Sequence, residues 1–567
     1  MAFFTRRLPP HPTADYVTDE LLNSIASGTF MPTVIVDGKE IEIGADERLN
    51  CIEAARRAGA EIPHYCWHPG LSVVASCRMC LVETGTRDAA SGKISMMPKL
   101  VPACQTPAKD GTVIVTESPL VKESRARVEE SLLINHPIDC PICDKAGECL
   151  LQDYHFQHGQ AERRADIHPF TSRRRDVGPT VTLFVDRCIM CTRCVRFTRE
   201  VAGTSELMVT SRGAKEEIDV FPGHPLDNKL SGNVVDLCPV GALGDKDFLY
   251  QQRVWFMKRE ANVCGGCSAG CSIHTEHNQD TVYRLKPREN PHVNTWWICD
   301  EGRYGWHHIH DASRIVGAGR RDGVGSPLES VEWTQVVTRL RDDLKAAGRL
   351  AVAVSPMLTV EEAWMLCAVA RSIDPEALLA VGHVPRTGDD ETFPGGFTIR
   401  AEKCPNRLGV EAVIALFDPA VHSWSHLVEH VRAGHADAAW ITGGYPAAWI
   451  DDDTAAAFDD LKCLVVQDLF DSPLTARSTW KLPAAGFAER SGTWVNVAHR
   501  AQTFGQAVRP PAGVWPEGRL YWNMLGRRGL YDPTAVRRQI AESSTSFAAL
   551  AGEIPATGVD LRIYQIA

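Results

Sequence analysis

His136-Pro-Ile-Asp-Cys140-Pro-Ile-Cys143-Asp-Lys-Ala-Gly-Glu-Cys149 places one imidazole and three thiols within 14 residues, spaced x3, x2 and x5. Cys140 and Cys143 form a CxxC turn, which lets two sulfurs reach one centre. His136 and Cys149 return to that centre from either side. Such a set suits a tetrahedral zinc or one iron–sulfur cube, and by itself it does not choose between them. Its neighbours in the chain do. Of the 19 cysteines, 16 lie between Cys51 and Cys299, in groups before and after this stretch. The first half of the chain therefore reads as a container for a series of metal centres.

A chain of 567 residues implies several domains. Hydrophobic residues make up 44% and charged residues 23%, as in ordinary globular proteins. The net charge of −11 argues against a general nucleic-acid binder. No apolar run approaches a membrane span. Residues 1–30 lack periodicity and read as an extension; Asp15, Asp19 and Glu20 count against a transit peptide. Clustered CxxC spacings in such a chain point to metal or redox chemistry in a reducing compartment rather than to disulfides.

From Thr33 the pattern is regular. Thr33 to Ile43 reads as two strands joined at Asp37-Gly38, and Leu49 to Ala58 as a helix ending at Gly59. This is the opening of a β-grasp fold. Cys66-x10-Cys77-x2-Cys80-x23-Cys104 follows, before the strand-like Val113-Ile-Val. Gly70, Ala75 and Ser76 permit a tight loop around a flat two-iron cluster. The spacing departs from the plant-type C-x4-C-x2-C grammar, and zinc stays open as an alternative. Arg87 to Lys93 reads as an exposed insert. Cys51 lies on the predicted helix and reads as a core thiol.

Glu123 to Asn135 reads as a helix that delivers His136, and Leu150 to His158 as another. Cys188-x2-Cys191-x2-Cys194 with Cys238-Pro239 is the bacterial-ferredoxin grammar for a cubane. Cys264-x2-Cys267-x3-Cys271-x27-Cys299, rich in glycine, suits a further cube or a structural zinc. His155, His158, His307, His308 and His310 read as hydrogen-bonded or solvated imidazoles. The basic runs at Arg163, Arg164 and Arg173 to Arg175 read as a solvated face. Beyond residue 312, strand-like runs at Leu350–Val354, Ala412–Phe417, Ala438–Thr442 and Cys463–Gln467 alternate with helix-like runs at Thr359–Ile373 and Asp452–Leu461. They predict an α/β layer with a mainly parallel sheet. Gly317-Ala-Gly319 and Gly443-Gly444 complete no dinucleotide fingerprint. Cys367, Cys404 and Cys463 read as core thiols.

The four sets, in this order, resemble the large iron–sulfur subunit of proton-pumping NADH:quinone oxidoreductase, respiratory complex I. The resemblance runs from about residue 31 to 310. It implies a [2Fe–2S] cluster on Cys66, Cys77, Cys80 and Cys104. It implies [4Fe–4S] clusters on His136, Cys140, Cys143 and Cys149, on Cys188, Cys191, Cys194 and Cys238, and on Cys264, Cys267, Cys271 and Cys299. The last is similar to the off-path cube of some bacterial members. A second nitrogen of His136 is expected to donate to a carbonyl or carboxylate that holds the ring. Arg314-Ile315, Trp333 and the stretch Glu489 to Asn496 resemble the molybdopterin-oxidoreductase superfamily, in shortened form. That implies a scaffold domain without molybdenum, and no flavin is expected either.

The expected fold class is α+β and α/β multidomain. The expected units are an extension over 1–30, a [2Fe–2S] ferredoxin-like domain over 31–118 and a domain over 119–180 whose [4Fe–4S] cluster has one histidine and three cysteine ligands. A ferredoxin-like cubane domain over 181–256, a fourth cluster domain over 257–312 and a shortened molybdopterin-type α/β domain over 313–567 complete the chain. The resemblance further implies a relay with no substrate site of its own. Its partners would be a flavin- and NADH-binding subunit and a two-cubane ferredoxin-like subunit, in a complex on the cytoplasmic side of a bacterial inner membrane. Rival readings are the equivalent subunit of an NAD-linked formate dehydrogenase or hydrogenase, and a zinc-stapled assembly scaffold.

Overall fold

The computed structural model describes residues 31–564 except 163, 166, 168–172, 214 and 324. The expected extension over 1–30 and Arg163 lie outside the described residues. Thr33–Val36 pairs antiparallel with Lys39–Glu42 through a turn in which Asp37 and Gly38 both take positive φ, 47° and 83°. That is the backbone a two-residue hairpin needs, and Asp-Gly supplies it at low cost. The helix Cys51–Ala58 is held by a capping box between Asn50 and Glu53 and stops at Gly59. Thr112–Val115 then closes beside Thr33–Val36 in parallel, with Leu81–Arg87 on its other edge. The helix buries Cys51, Ile52, Ala54 and Ala55 against Val34, Val36 and Ile114, so Cys51 is a core thiol.

The helix that leads to His136 is Pro119–Leu133, four residues earlier at its start than its apolar spacing suggests. Ser118 caps it and Pro119 occupies the first turn, a pair of start signals that outweighs the later periodicity. Leu150–His158 is helical as expected. Val181–Phe184 forms the centre of a three-stranded sheet with Arg174–Asp176 and Leu243–Asp245. The basic runs are paired: Arg164 with Glu130, Arg173 with Asp186 and Glu217, Arg175 with Asp219. Lys258–Val263, Ser272–Asn278 and Thr281–Pro287 form an antiparallel meander that carries the fourth cysteine set.

The remainder is built on a seven-stranded sheet. Its strands from Trp480–Pro483 through Cys463–Asp468, Ala438–Thr442 and Leu350–Val354 to Leu378–Val381 run parallel, and Gly319–Arg320 and Glu329–Ser330 extend one edge antiparallel. Both faces are covered. Leu350, Val352 and Val354 point into one core while Ala351 and Ala353 point into the other, so the strand reads as one apolar run. Ala412–Phe417, expected as a strand, is the end of the helix Arg407–Phe417. Its apolar residues Val410, Val413, Ile414 and Phe417 follow helical spacing once the run is extended backward, whereas six residues alone fit either period. Asp452–Leu461 is helical only to Ala456. Gly443-Gly444 follows a strand, and the Gly444 N–H donates to buried Asp468 at 2.8 Å. Met357, Cys404 and Tyr445 pack together beside it. Cys367 and Cys463 are buried in the main core.

Arg314 and Glu489, distant in sequence, form a two-pronged ion pair at 2.6 and 2.7 Å, each side chain 1% exposed. Arg314 also donates to Ile309 and Ala484 carbonyls, which ties the fourth cysteine domain to the large sheet. Glu489→Ala should cost about 3–5 kcal/mol, because it strands a buried guanidinium. The urea midpoint of the full chain measures it, and a loss under about 1 kcal/mol would reject this pair as a fixed buried contact.

Candidate metal centres

The first set is assembled on one loop and one strand end. Cys66, Cys80 and Cys104 are buried and Cys77 half-buried. Ala75 and Arg78 adopt left-handed φ of 51° and 61°, which turns the loop so that Cys77 and Cys80 face inward. A Cβ on Gly70 would lie 2.7 Å from Trp296, so glycine is required for that close approach rather than for φ. Hydrogen bonds from Cys104 and Cys77 hold the Cys66 thiol well below its ordinary value, and Cys104 does the same for Cys80. The same bonds push the Cys77 and Cys104 thiols up, so the four sulfurs share one hydrogen-bonded neighbourhood in which Cys66 and Cys80 carry the thiolate character.

In the third set, Cys188, Cys191, Cys194 and Cys238 line one small pocket, about 20 Å³, walled by Leu183, Ile189, Ile218, Val240, Ala242 and Leu243. Met190 and Thr192 take φ of 52° and 58°, and these alternate left-handed residues turn the triplet's sulfurs to one side. Burial pushes the Cys188 thiol up to about 12 and Cys191 to about 11, with Cys238 adding in both. Protons thus stay on these thiols unless a cation replaces them, as iron would. The thiols and the apolar wall fit a cube.

Two arginines that the sequence reading passed over sit between these sets. Arg193 donates to the Trp67 carbonyl at 2.5 Å and the Leu237 carbonyl at 3.3 Å. Arg196 donates to the carbonyls of Cys66, Ser72 and, at 3.2 Å, Cys191. The signal was present in Cys191-Thr-Arg193-Cys194-Val-Arg196: cations interleaved with ligands in a stretch too apolar to leave them free.

The second set adjoins the third. The Leu150 N–H donates to the Pro239 carbonyl at 2.9 Å, and a Cβ on Gly241 would fall 2.1 Å from the Cys143 sulfur. Cys143 is buried, Cys140 and Cys149 half-buried. Burial, then Arg187, lowers the His136 imidazole to about 4, so it is neutral and able to ligate. Its Nδ1 is buried with no hydrogen-bond partner, so the expected ring-holding bond is absent at that atom. That leaves the nitrogen free to take a ligand in a segment that carries three thiols. Of the carboxylates that could compete, Asp139 pairs with Arg187 at 3.0 Å and Asp144 accepts from the Tyr250 N–H at 2.8 Å.

The fourth set is the most enclosed: Cys264, Cys267, Cys271 and Cys299 are all buried. Gly302 separates two of them, since its Cβ would lie 3.0 Å from the Cys264 sulfur and 3.5 Å from that of Cys299. The Gly266 N–H donates to Cys264 Sγ at 3.4 Å and the Gly302 N–H to Cys299 Sγ at 3.3 Å. Such N–H···S bonds favour the more negative form of a cluster.

Among the described residues, no three His, Cys, Asp or Glu side chains are arranged to hold a single metal ion. Of the other imidazoles, His155 has a buried Nδ1 without a hydrogen-bond partner, while three near residue 308 have local ones. His307 bonds Asp247 at 2.9 Å, His308 the Gly305 carbonyl at 2.7 Å, and His310 accepts from the Val282 N–H at 2.9 Å. No described helix is long and apolar enough to cross a membrane.

Comparison with known proteins follows the same divisions. A 2Fe-2S iron–sulfur cluster binding domain matches residues 31–119, and the NADH-ubiquinone oxidoreductase-G iron–sulfur binding region matches 125–164. The ferredoxin-like domain of NADH-quinone oxidoreductase subunit 3 matches 178–244, and the molybdopterin oxidoreductase Fe4S4 domain matches 257–311. The G-type subunit of NADH-quinone oxidoreductase from Rickettsia felis is 34% identical over 333 residues, 58% of this chain and 47% of that one. The mitochondrial NADH-ubiquinone oxidoreductase 78 kDa subunit of Neurospora crassa is 36% identical over 361 residues, 62% of this chain and 46% of that one. A solved NAD+-reducing [NiFe]-hydrogenase in the H2-reduced state is 30% identical, covers 39% of this chain and 91% of its own, and has a TM-score of 0.33. The chain spans about half the length of the curated relatives it matches. It is a multidomain homologue of the G-type subunit of NADH-quinone oxidoreductase, with 2Fe-2S, 4Fe-4S, ferredoxin-like and molybdopterin Fe4S4 domains in succession.

Proposed function

We propose that this chain is an electron-relay subunit that passes single electrons from a flavin-bearing subunit toward quinone in a proton-translocating NADH:quinone oxidoreductase. The observation that carries the reading is the chain of contacts between sites. The first loop is joined to the third set by Arg193 and Arg196, and the third to the second by Pro239–Leu150 and Gly241–Cys143. Tunnelling falls steeply with separation, so a protein that adds no substrate chemistry acts by fixing distance and potential.

In this reading Cys66, Cys77, Cys80 and Cys104 hold a [2Fe–2S] cluster. His136 with Cys140, Cys143 and Cys149, Cys188 with Cys191, Cys194 and Cys238, and Cys264 with Cys267, Cys271 and Cys299 hold [4Fe–4S] clusters. When bound, each supplies one-electron chemistry. Electrons enter at the first site, continue to the third and then the second, and leave to a two-cubane ferredoxin-like subunit. The fourth site lies off this path. The α/β unit beyond residue 312 is a shortened molybdopterin-type scaffold without molybdenum, and the chain reaches the membrane only through its complex.

A fully loaded chain should contain about 14 irons, one two-iron and three four-iron clusters. Anaerobic analysis giving about ten removes one cube, and abundant zinc supports the scaffold rival. In assembled complexes Cys191→Ser should abolish NADH-to-quinone turnover, while Cys264→Ser should reduce it modestly. Equal losses from both would sink the off-path assignment. His136→Cys, where the cluster assembles, should lower that cluster's potential, because a thiolate adds negative charge where a neutral imidazole stood. Redox titration followed by EPR measures this. Absence of an imidazole nitrogen coupling at that cluster in the parent protein would refute histidine ligation.

A further inference from the structure

Arg193 and Arg196 differ from the chain's other buried arginines. Arg303, Arg314 and Arg490 each face carboxylates. Arg193 is 6% exposed and Arg196 2%, yet all their acceptors are main-chain carbonyls. Among the described residues no carboxylate pairs with either. Glu200, whose charge reaches Arg196, is bonded instead to Ser72 and Arg199. The Nε of each arginine is also buried with no acceptor. A buried cation without a counter-charge is costly, and carbonyl dipoles offset only part of that cost. The four carbonyls adjoining the two sets belong to Cys66 and Trp67 on one side and to Cys191 and Leu237, next to Cys238, on the other. The missing negative charge is what two thiolate-ligated clusters would bring.

We propose that Arg193 and Arg196 are positioning residues that lock the first and third sites at a fixed separation and, as shared buried cations, raise the reduction potential of both. This rests on the cluster assignment proposed above. A positive charge between two anionic centres stabilises the reduced, more negative form of each. It also fixes the spacing, because each guanidinium spans both loops. Neither residue contacts a substrate, and both act through the loops they join.

The test uses the full chain loaded with its clusters under anaerobic conditions, with iron content and EPR-monitored redox titration as readouts. Arg196→Gln removes the charge. It should lower the midpoint potentials of both the two-iron cluster and the third-site cube. Arg196→Lys keeps the charge and should restore most of both shifts. Arg432→Gln, an exposed cation at the end of the helix Trp424–Arg432 in the C-terminal unit, should move neither. Arg193→Gln serves as a second charge-removing variant under the same criteria. Parental potentials in both Gln variants, or a shift confined to one cluster, would overturn the proposal. So would equal loss of clusters from the Gln and Lys variants, which would show a contact role alone. Failure of the underlying assignment has a different signature, since the parent protein itself would then lack the two-iron and third-site signals.

Discussion

Buried, irregular loops leave main-chain carbonyls without partners, and this chain has four such loops wrapped around its thiols. Regular structure cannot satisfy those carbonyls, because the loops take left-handed turns at Ala75, Arg78, Met190 and Thr192 to aim their sulfurs. Long cationic side chains fill the need. Arg196 and Arg193 serve the first and third loops. Arg253 donates to the carbonyls of Cys143, at 2.7 Å, and Pro141 in the second. Arginine suits this work because its rigid fork reaches several acceptors at once and keeps its charge when buried. The same residues that complete the backbone's hydrogen bonds therefore also set the electrostatics of the sites.

Buried charge is organised around the other sites too, in a chain whose net charge is −11. Between the second, third and fourth sets lies an ion network. Arg284 reaches Glu148 and Glu276, Lys286 reaches Glu148 and Asp236, and Arg303 reaches Asp236. Arg259 and Lys145 add two more cations to it, at Glu276 and Glu148. Five cations pair with these three carboxylates, and the charges of Asp245 and Asp300 act on Arg303 as well. Glu148 precedes the ligand Cys149, and its carboxyl, though buried, is held far below the usual carboxylate range by Lys286 and Arg284. Desolvation makes such networks weak evidence for stability by themselves.

The sites were more legible in the sequence than the structure that supports them. Cysteine spacing is a local code, so all sixteen candidate ligands could be grouped before any fold was known. The hairpin at Asp37-Gly38, the cap at Gly59 and the strands at Leu350 and Ala438 were equally local. What escaped depends on distant partners. The strand expected at Ala412–Phe417 failed because a short apolar run carries no period of its own. The helix before His136 starts earlier because its cap lies outside the apolar pattern. Arg193 and Arg196 were invisible as functional residues, since their meaning comes from loops more than 120 residues away. The pairing of Arg314 with Glu489 was likewise hidden, although both residues stood in stretches already noted for their resemblance to molybdopterin oxidoreductases.

The fourth set solves the carbonyl problem differently, and the difference bears on why the long C-terminal unit is there. Among the described residues, no arginine side chain donates to the loop from Cys264 to Cys271. Instead Asn496 donates to the Ala269 carbonyl at 3.0 Å, the Val497 N–H to that of Ser268 at 2.9 Å, and Gln502 to that of Gly270 at 2.8 Å. The Ser268 N–H in turn donates to the Glu402 carbonyl at 2.9 Å. Trp494, buried beside Val263 and Phe504, closes the apolar side. A whole domain thus supplies here what two side chains supply between the first and third sites. Such a loop depends on the C-terminal unit for its shape, because its donors sit on and beside the hairpin of Gly492–Val495 and Arg500–Phe504, and Arg314 ties the connecting segment to Glu489 and the Ala484 carbonyl. The fourth centre and the C-terminal unit are therefore one structural unit. A chain that kept the thiols but lost that hairpin would leave those carbonyls open to water.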